Sequence, residues 1–304
     1  MPTPYAYLRK QFMPLAEAKI GVMTHAFNYG TGCFEGIRGN WNAEDERLYL
    51  FRLREHFARL TRSSHMLKIG LSQSVDELCD IAVKLVGMCG FTEDIYLRPI
   101  AYKSSEVVGV RMHDLDDDLL MFVTPFGPYL DIEKGIRCAT SSWRRVDDTA
   151  IPARAKVTGI YVNSALAKTE AQENGFDEAI MLTQQGHVSE GSGENIFLVE
   201  NGRLVTPPPS DNILIGITRD TVIRLALDEL GIETIERPIA RTELYTADEC
   251  FMTGTAAHVT AVVDVDRRSV ANGKTGEITS KLQKLYQDVI RCKNGKYADW
   301  CTPA

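Results

Sequence analysis

A chain of 304 residues with 44% hydrophobic and 25% charged residues has the composition of a globular protein, and its length favours two domains. The formal net charge of −7 argues against binding of the whole molecule to nucleic acid or to an anionic membrane. We see no apolar run of the roughly 20 residues that cross a bilayer and no signal-peptide pattern. Seven cysteines without a Cys-x-x-Cys pair predict reduced thiols and a cytoplasmic location, and argue against a disulfide framework or a metal site.

The first part of the chain predicts short strands followed by two helices. Apolar side chains over 53–68 fall on one helical stripe. The sequence Ser74-Val75-Asp76-Glu77 has the pattern of a capping box, and it opens a second predicted helix that ends at Gly90. Strands are predicted within 5–22 and at 47–51, 94–102 and 118–124.

The sequence Pro125-Phe126-Gly127-Pro128-Tyr129 interrupts both the helical and the strand pattern of apolar residues and predicts a linker. We therefore expect a small α/β domain at 1–122, an interdomain linker at 123–132 and a large β-rich α/β domain at 133–304. The second half predicts helices at 161–173, 218–230 and 279–292, with strands at 135–143, 178–183, 187–190, 195–199, 233–237, 249–253 and 258–265. Strands and helices mix without strict βαβ alternation, which indicates a mixed α/β (α+β) chain.

Lys156 is the candidate nucleophile. Small and apolar residues surround it in Ala153-Arg154-Ala155 and Val157-Thr158-Gly159, with no acidic neighbour in sequence. Burial of a lysine lowers its pKa and leaves a neutral amine that can form a Schiff base. Taken alone, the segment favours a surface lysine at a turn, and the argument for a nucleophile comes from the motifs that follow.

Three later segments have features of a site for an anionic cofactor. Gly216-Ile217-Thr218 begins a predicted helix, where unpaired N–H groups and the helix dipole favour a phosphate. Thr253-Gly254-Thr255-Ala256 offers N–H and hydroxyl donors after a strand, and Ser189-Glu190-Gly191 sets a carboxylate beside a glycine. Each segment alone fits a helix cap, a turn or a loop. Together with a lysine they indicate pyridoxal 5'-phosphate (PLP).

The order and wording of these motifs resemble the branched-chain amino-acid aminotransferases, which are fold type IV PLP enzymes. The resemblance runs from residue 5 to residue 266 and rests on Phe34-Glu35-Gly36-Ile37-Arg38, Arg54-Glu55-His56 with Arg59, Tyr96-x-Arg98-Pro99, Lys156, Ser189 to Asn195, Gly216 to Arg219, and Gly254-Thr255-Ala256. It implies a two-domain fold with the active site between the domains. It also implies ping-pong transamination of leucine, isoleucine or valine with 2-oxoglutarate, giving branched 2-oxo acids and L-glutamate.

The resemblance assigns a role to each cofactor contact. Lys156 would form the Schiff base with PLP and then move the proton between the substrate Cα and the cofactor C4′. Glu190 would bind the pyridine nitrogen, and Tyr161 would donate to the phenolate oxygen. The phosphate would be held by Arg59, Gly216, Ile217, Thr218 and Thr255.

By the same resemblance, the substrate pocket has to accept both an apolar side chain and the carboxylate of glutamate. Its walls would be Tyr29, Phe34, Tyr96, Arg98 and Tyr129, while Thr255 and Ala256 would bind the substrate α-carboxylate. The turn Val107-Val108-Gly109-Val110 would place Val108 and Val110 in the pocket of a neighbouring subunit, although a valine replaces the first glycine of the usual pattern. The implied partner is another copy of the chain, in a homodimer or a dimer-based hexamer.

Four alternatives remain open. A D-amino-acid aminotransferase would trap the substrate carboxylate with an Arg-x-His pair, and Arg111-Met112-His113 supplies one. Mixed specificity would combine both activities. Aminodeoxychorismate lyase shares the fold, but Tyr96-x-Arg98 argues against it, and a binder of PLP without activity would have no use for a substrate pocket.

Overall fold

The computed structural model describes residues 4–127, 130 and 134–304, which divide into two compact units. The first unit comprises Met1–Gly127, Ala155–Ile160 and Asp288–Ala304, and the second comprises Pro128–Arg154 and Tyr161–Gln287. Among the described helices, none has the length and the apolar character needed to cross a membrane.

The described residues form strands and helices in mixed order. The strands are β1 Tyr5–Leu8, β2 Gln11–Pro14, β3 Gly32–Phe34, β4 Ile37–Asn42, β5 Arg47–Phe51, β6 Ile95–Lys103, β7 Asp117–Pro125, β8 Ile136–Thr140, β9 Glu178–Leu182, β10 Val188–Gly191, β11 Asn195–Glu200, β12 Arg203–Thr206, β13 Thr234–Glu236, β14 Glu249–Gly254, β15 His258–Val265, β16 Arg268–Ser269 and β17 Cys301–Pro303. The α-helices are α1 His25–Tyr29, α2 Leu53–Met66, α3 Val75–Cys89, α4 Tyr161–Glu173, α5 Ile217–Leu230 and α6 Glu277–Ile290.

The sheet of the first unit has the order β17-β5-β4-β6-β7-β1-β2, with β3 paired beside β6. The apolar stripe of α2 packs into this unit through Phe57 and Leu60, whose side chains are fully buried. Removing such a side chain from water contributes about 1.5–3 kcal/mol. This apolar burial does not account for the buried polar residues of α2, whose contacts are described with the site below.

Helix α3 begins as its sequence predicts. The Ser74 hydroxyl accepts a hydrogen bond from the Glu77 N–H at 3.2 Å, and the Glu77 carboxylate accepts one from the Ser74 N–H at 2.7 Å. These two bonds satisfy N–H groups at a helix start that have no intrahelical partner. The predicted capping box is confirmed.

The sheet of the second unit has the order β10-β9-β8-β15-β14-β11-β12-β13, with β16 paired beside β15. Strands β9, β10 and β11 are almost entirely buried, and in β10 this burial includes the polar residues Ser189 and Glu190. The antiparallel pairing of β11 with β14 sets Asn195 opposite Thr253. This register brings the glycine-rich turn before β11 close to the turn after β14.

The last residues of the chain contribute to the first unit. Strand β17 pairs antiparallel with β5, and the Arg52 N–H donates to the Trp300 carbonyl at 2.6 Å. The guanidinium of Arg52 also lies 5.1 Å from the Trp300 ring centroid, a cation–π contact. Residues 155–160 belong to the same unit, and they carry Lys156.

Candidate active site

Backbone hydrogen bonds hold the segment around Lys156 against β3. The Phe34 N–H donates to the Lys156 carbonyl at 3.0 Å, and Val157 pairs with Cys33. Gly30 has to be glycine here, because its φ is +67° and a Cβ on it would lie 2.8 Å from the Cα of Gly159, so the two backbones could not pass this closely. The backbone of the lysine is therefore fixed on both sides.

Helix α2 presents a polar face to this segment. His56, Arg59 and Ser63 are spaced three and four residues apart and so share one face of the helix. The Ser63 hydroxyl accepts a hydrogen bond from the Lys156 N–H at 3.2 Å. The same helix thus supports the lysine and carries the predicted phosphate-binding arginine.

Arg59 and His56 converge on Glu35, which is fully buried. The Arg59 Nε and Nη2 groups donate to the two oxygens of Glu35 at 2.7 Å each, and His56 Nδ1 lies 2.8 Å from Oε2. Burial alone would raise the pKa of Glu35, but the charge and hydrogen bonds of Arg59, helped by His56, lower it to about 2. Burial lowers the pKa of His56, so Arg59 is the cation that balances this carboxylate.

The predicted pocket residues Phe34, Tyr96 and Arg98 are brought together around the lysine. The Arg98 guanidinium lies 4.5 Å from the Phe34 ring centroid and donates to the Tyr96 hydroxyl at 2.9 Å. Lys156 Nζ lies 5.0 Å from the Phe34 ring. A Cβ at Gly36 would lie 1.9 Å from the Tyr96 hydroxyl, so the glycine of the Phe34-Glu35-Gly36 motif leaves space for that tyrosine.

Tyr29, Val108 and Val110 lie elsewhere in the same unit. The Gly109 N–H donates to the Tyr29 hydroxyl at 3.0 Å, which ties Tyr29 to the valine turn. Val108 is 86% exposed and Val110 is 81% exposed. Arg111 and His113 are also exposed, each 3.9 Å from the Asp114 carboxylate, so the charge partner of the Arg-x-His pair is a neighbour in sequence.

In the second unit, Glu190 is the centre of a buried polar cluster. Its Oε1 lies 2.9 Å from Nη2 of Arg145, and both side chains are buried. Its Oε2 accepts hydrogen bonds from the Leu214 N–H at 3.0 Å and from Asn195 Nδ2 at 3.2 Å. Donors on both oxygens fix the plane of the carboxyl group.

The start of α5 differs from that of α3, because no side chain caps it. Gly216 occupies the N-cap position without a side-chain hydrogen bond, and Thr218 is buried in the first turn. Unpaired N–H groups at the start of a 14-residue helix are a donor set for a phosphate. A Cβ at Gly216 would lie 2.0 Å from Asn195 Oδ1, so the helix start and the Glu190 cluster share one side chain.

The turn that carries Thr255 and Ala256 joins β14 to β15 and lies against the glycine-rich turn. A Cβ at Gly254 would come within 3.3 Å of the Glu194 side chain. Glu194 is buried and accepts a hydrogen bond from the Gly193 N–H at 3.0 Å. Burial, with the nearby charge of Glu178, raises the pKa of Glu194 to about 8, which makes it a neutral neighbour of Glu190 at physiological pH.

The predicted residues therefore occur as two sets, one in each unit. The first unit assembles Phe34, Arg59, Tyr96, Arg98 and Lys156, and the second assembles Glu190, Gly216, Ile217, Thr218, Thr255 and Ala256. Tyr161 is the first residue of α4 and is partly exposed. Tyr129 lies outside the described residues.

The sequence analysis assigned no function to the residues that hold these groups in place. They are Glu35, His56, Ser63, Arg145 and Asn195. Glu35, His56 and Asn195 lie within quoted motifs. His56 and Ser63 also share a face of α2 with Arg59, and that spacing could have been used as a signal. Arg145 had no such signal, because it lies 45 residues before Glu190 in a segment without a motif.

Comparison with known proteins gives a consistent result. The sequence profile described as "Amino-transferase class IV" matches residues 32–265. A relative from Aquifex aeolicus (strain VF5), named "Probable branched-chain-amino-acid aminotransferase", is 50% identical over 299 residues, which cover 98% of this chain and 96% of that protein.

Two crystal structures are also close to this chain. The branched-chain aminotransferase from Thermoproteus uzoniensis with norvaline has a TM-score of 0.95 at 45% identity, over 99% of both chains. The enzyme from Thermobaculum terrenum in its PLP-form has a TM-score of 0.95 at 35% identity, over 100% of this chain and 99% of that one. On this evidence the chain belongs to the class IV aminotransferase family and, within it, to the branched-chain amino-acid aminotransferases.

Proposed function

We propose that this protein transfers the amino group of leucine, isoleucine or valine to 2-oxoglutarate, with PLP as cofactor and Lys156 as the catalytic amine. The observation that carries the proposal is the fixed backbone of Lys156 beside Phe34, Arg98 and the polar face of α2. The donor sets of the two units match the chemical groups of the cofactor. They comprise an arginine and an uncapped helix start for the phosphate and a buried carboxylate for the ring nitrogen.

Bound PLP supplies an electron sink for the negative charge that develops at the substrate Cα. The Lys156 amine would be the general base that takes the proton from the substrate Cα and the general acid that returns it. Glu190 would hold the ring nitrogen through a hydrogen bond and keep it protonated, and Tyr161 would donate a hydrogen bond to the phenolate oxygen. The phosphate contacts are Arg59, Gly216, Ile217, Thr218 and Thr255.

The pocket residues suit substrates of two kinds. Phe34 offers an apolar ring to a branched side chain, while Arg98 and the Tyr96 hydroxyl offer donors to the side-chain carboxylate of glutamate. The Arg98 Nε is buried and makes no hydrogen bond within the described part of the chain. A carboxylate would satisfy this donor. Thr255 and Ala256 would hold the α-carboxylate that both substrates share.

We further propose that two copies of the chain associate through one apolar surface of the first unit. This valine-rich surface consists of Val22, Met23, Phe27, Val108 and Val110, all of them exposed. Its two segments are joined by a hydrogen bond from the His25 N–H to the Ser105 carbonyl at 2.9 Å. Grouped exposed apolar side chains are typical of a protein interface. In such an assembly Val108 and Val110 would line the pocket of the neighbouring copy.

The cytoplasmic location predicted from the cysteine content is also a proposal. All seven cysteines are free thiols, and most of them are buried. Reduced thiols of this kind are typical of proteins that work in a reducing compartment.

Borohydride reduction of the holoenzyme tests the assignment of Lys156. We expect it to attach the cofactor covalently to the peptide that contains Lys156, as read by mass spectrometry. Lys156→Ala should lose both this modification and turnover, while retaining PLP through the phosphate contacts. The control Lys281→Ala, at an exposed position of α6, should keep both. A Lys156→Ala enzyme with normal turnover would contradict the proposal.

A further inference from the structure

Arg145 is held in place by three separate elements of the second unit. It is 5% exposed, its N–H donates to the Leu182 carbonyl at 2.8 Å, and its Nε donates to the Asn212 carbonyl at 3.3 Å. Its Nη2 lies 2.9 Å from Glu190 Oε1. A guanidinium so anchored can present its charge to Glu190 in only one direction.

The charges around Glu190 show how the contact with Arg145 affects the ionisation of this carboxyl group. Glu194 lies in the turn that follows strand β10, and it is buried; burial raises its pKa to about 8. Glu190 is buried to a similar extent, but it has the Arg145 charge on Oε1 and two N–H donors on Oε2. A positive charge in contact with a carboxylate favours its ionised form.

We propose that Arg145 is a positioning residue that keeps Glu190 ionised and oriented, so that the shared proton between Glu190 and the cofactor ring resides on the ring nitrogen. The inference rests on the proposed role of Glu190. The guanidinium contacts the carboxylate directly and is farther from the ring. It therefore stabilises the charged carboxylate more than it disfavours the protonated ring.

The location of this proton determines how well the cofactor accepts electrons. A protonated ring nitrogen accepts the charge that develops at the substrate Cα, whereas a neutral nitrogen facing a protonated carboxyl group accepts it less well. Without Arg145 the equilibrium shifts toward the neutral pair. The effect should fall on the chemical step rather than on substrate binding.

The test uses holoenzyme loaded with PLP that carries ¹⁵N in the ring. In the wild-type protein we expect the ¹⁵N chemical shift of a protonated pyridine, and a neutral-pyridine shift there would overturn the inference without any variant. Arg145→Met should move the signal more than halfway toward the neutral value, and kcat should fall about tenfold with little change in KM. Arg145→Gln gives the same readout if the methionine variant does not accumulate as folded protein.

Two further variants separate a positioning role from a structural one. Arg145→Lys keeps the charge and should restore most of the wild-type shift. Lys168→Met removes the cation from another buried carboxylate of the same unit, Glu178, and should lower stability without moving the ¹⁵N signal. An Arg145→Met protein that loses stability but keeps the wild-type signal would overturn the inference.

The variant Glu190→Gln distinguishes a failure of the role inferred for Arg145 from a failure of the role proposed for Glu190. A change in the ¹⁵N signal of this variant but not of Arg145→Met would refute the role of Arg145 alone. No change in Glu190→Gln would mean that Glu190 does not contact the ring nitrogen, and the proposed function of that residue would be lost. The comparison of these two variants therefore separates the two failures.

Discussion

The two units each bury a carboxylate–arginine pair, but the two pairs have opposite arrangements. In the first unit the arginine, Arg59, is the residue proposed to bind the cofactor, and the buried carboxylate of Glu35 holds it in place. In the second unit the carboxylate, Glu190, is the residue proposed to bind the cofactor, and Arg145 holds it in place. A buried charge is costly when it stands alone, so a site that must present one charge to a cofactor also has to bury the opposite charge beside it.

Glu194 shows what happens to a buried carboxyl group without such support. It lies in the turn just after the strand that carries Glu190, and its pKa is raised to about 8, whereas the pKa of Glu35 is lowered to about 2. Burial acts in the same direction on both groups, but Arg59 and His56 lower the pKa of Glu35, whereas the nearby charge of Glu178 raises that of Glu194 further. Supporting cations therefore determine which buried carboxyl groups are charged at neutral pH.

The largest expected effect is that of removing the Glu35 charge. Glu35→Gln leaves the buried Arg59 guanidinium without its carboxylate, which should lower the free energy of unfolding by about 3–5 kcal/mol. Denaturant unfolding of the holoenzyme measures this change in the free energy of unfolding. Glu277→Gln, which breaks an exposed pair with Lys281, should be indistinguishable from wild type. A Glu35→Gln protein as stable as this control would remove the basis of the comparison.

The next largest effect is the contribution of the Glu194 carboxyl group to the pH dependence of the protein's stability. Its ordinary pKa is 4.5 and its folded pKa is about 8. Between these values the unfolded chain releases a proton that the folded chain retains, so this group's contribution to stability is lost as the pH rises. Glu194→Gln cannot ionise, and between about pH 5 and 7 it should gain about 3 kcal/mol relative to wild type. Unfolding curves at several pH values test this, and a constant difference would contradict it.

The smallest effect on the fold itself should come from the surface of the first unit. Phe27→Glu places a charge in the valine-rich surface and should shift the protein toward monomers in sedimentation experiments, with little change in the secondary structure. Leu227→Glu is the matched control, because Leu227 is exposed on α5 of the second unit outside that surface. If both variants sediment as wild type does, the proposed interface is wrong.

The sequence was most informative where the interactions are local. The capping box of α3 and the apolar stripe of α2 depend on spacings of three and four residues, and both occur as predicted. Helix ends differ by only one or two residues, as for α6, which was predicted at 279–292 and is observed at Glu277–Ile290. Fraying ends account for such differences.

The sequence was least informative where distant residues meet. The pairing of β17 with β5 joins positions about 250 residues apart, and the contact of Arg145 with Glu190 joins a loop to strand β10. No periodicity encodes such contacts, because they depend on strand register. The resemblance named the residues proposed to contact the cofactor, and only the fold revealed the residues that support them.

The amide of Asn195 has a consequence for ligand selection. Its Nδ2 donates to Glu190, and its Oδ1 lies where a side chain at Gly216 would have to be. One short, rigid group thus sets the separation between a carboxylate and the first turn of α5. A ligand that contacts both groups, as proposed for PLP, would have to span that separation. Pyridoxal, which lacks the phosphate, would reach Glu190 without also reaching the start of α5.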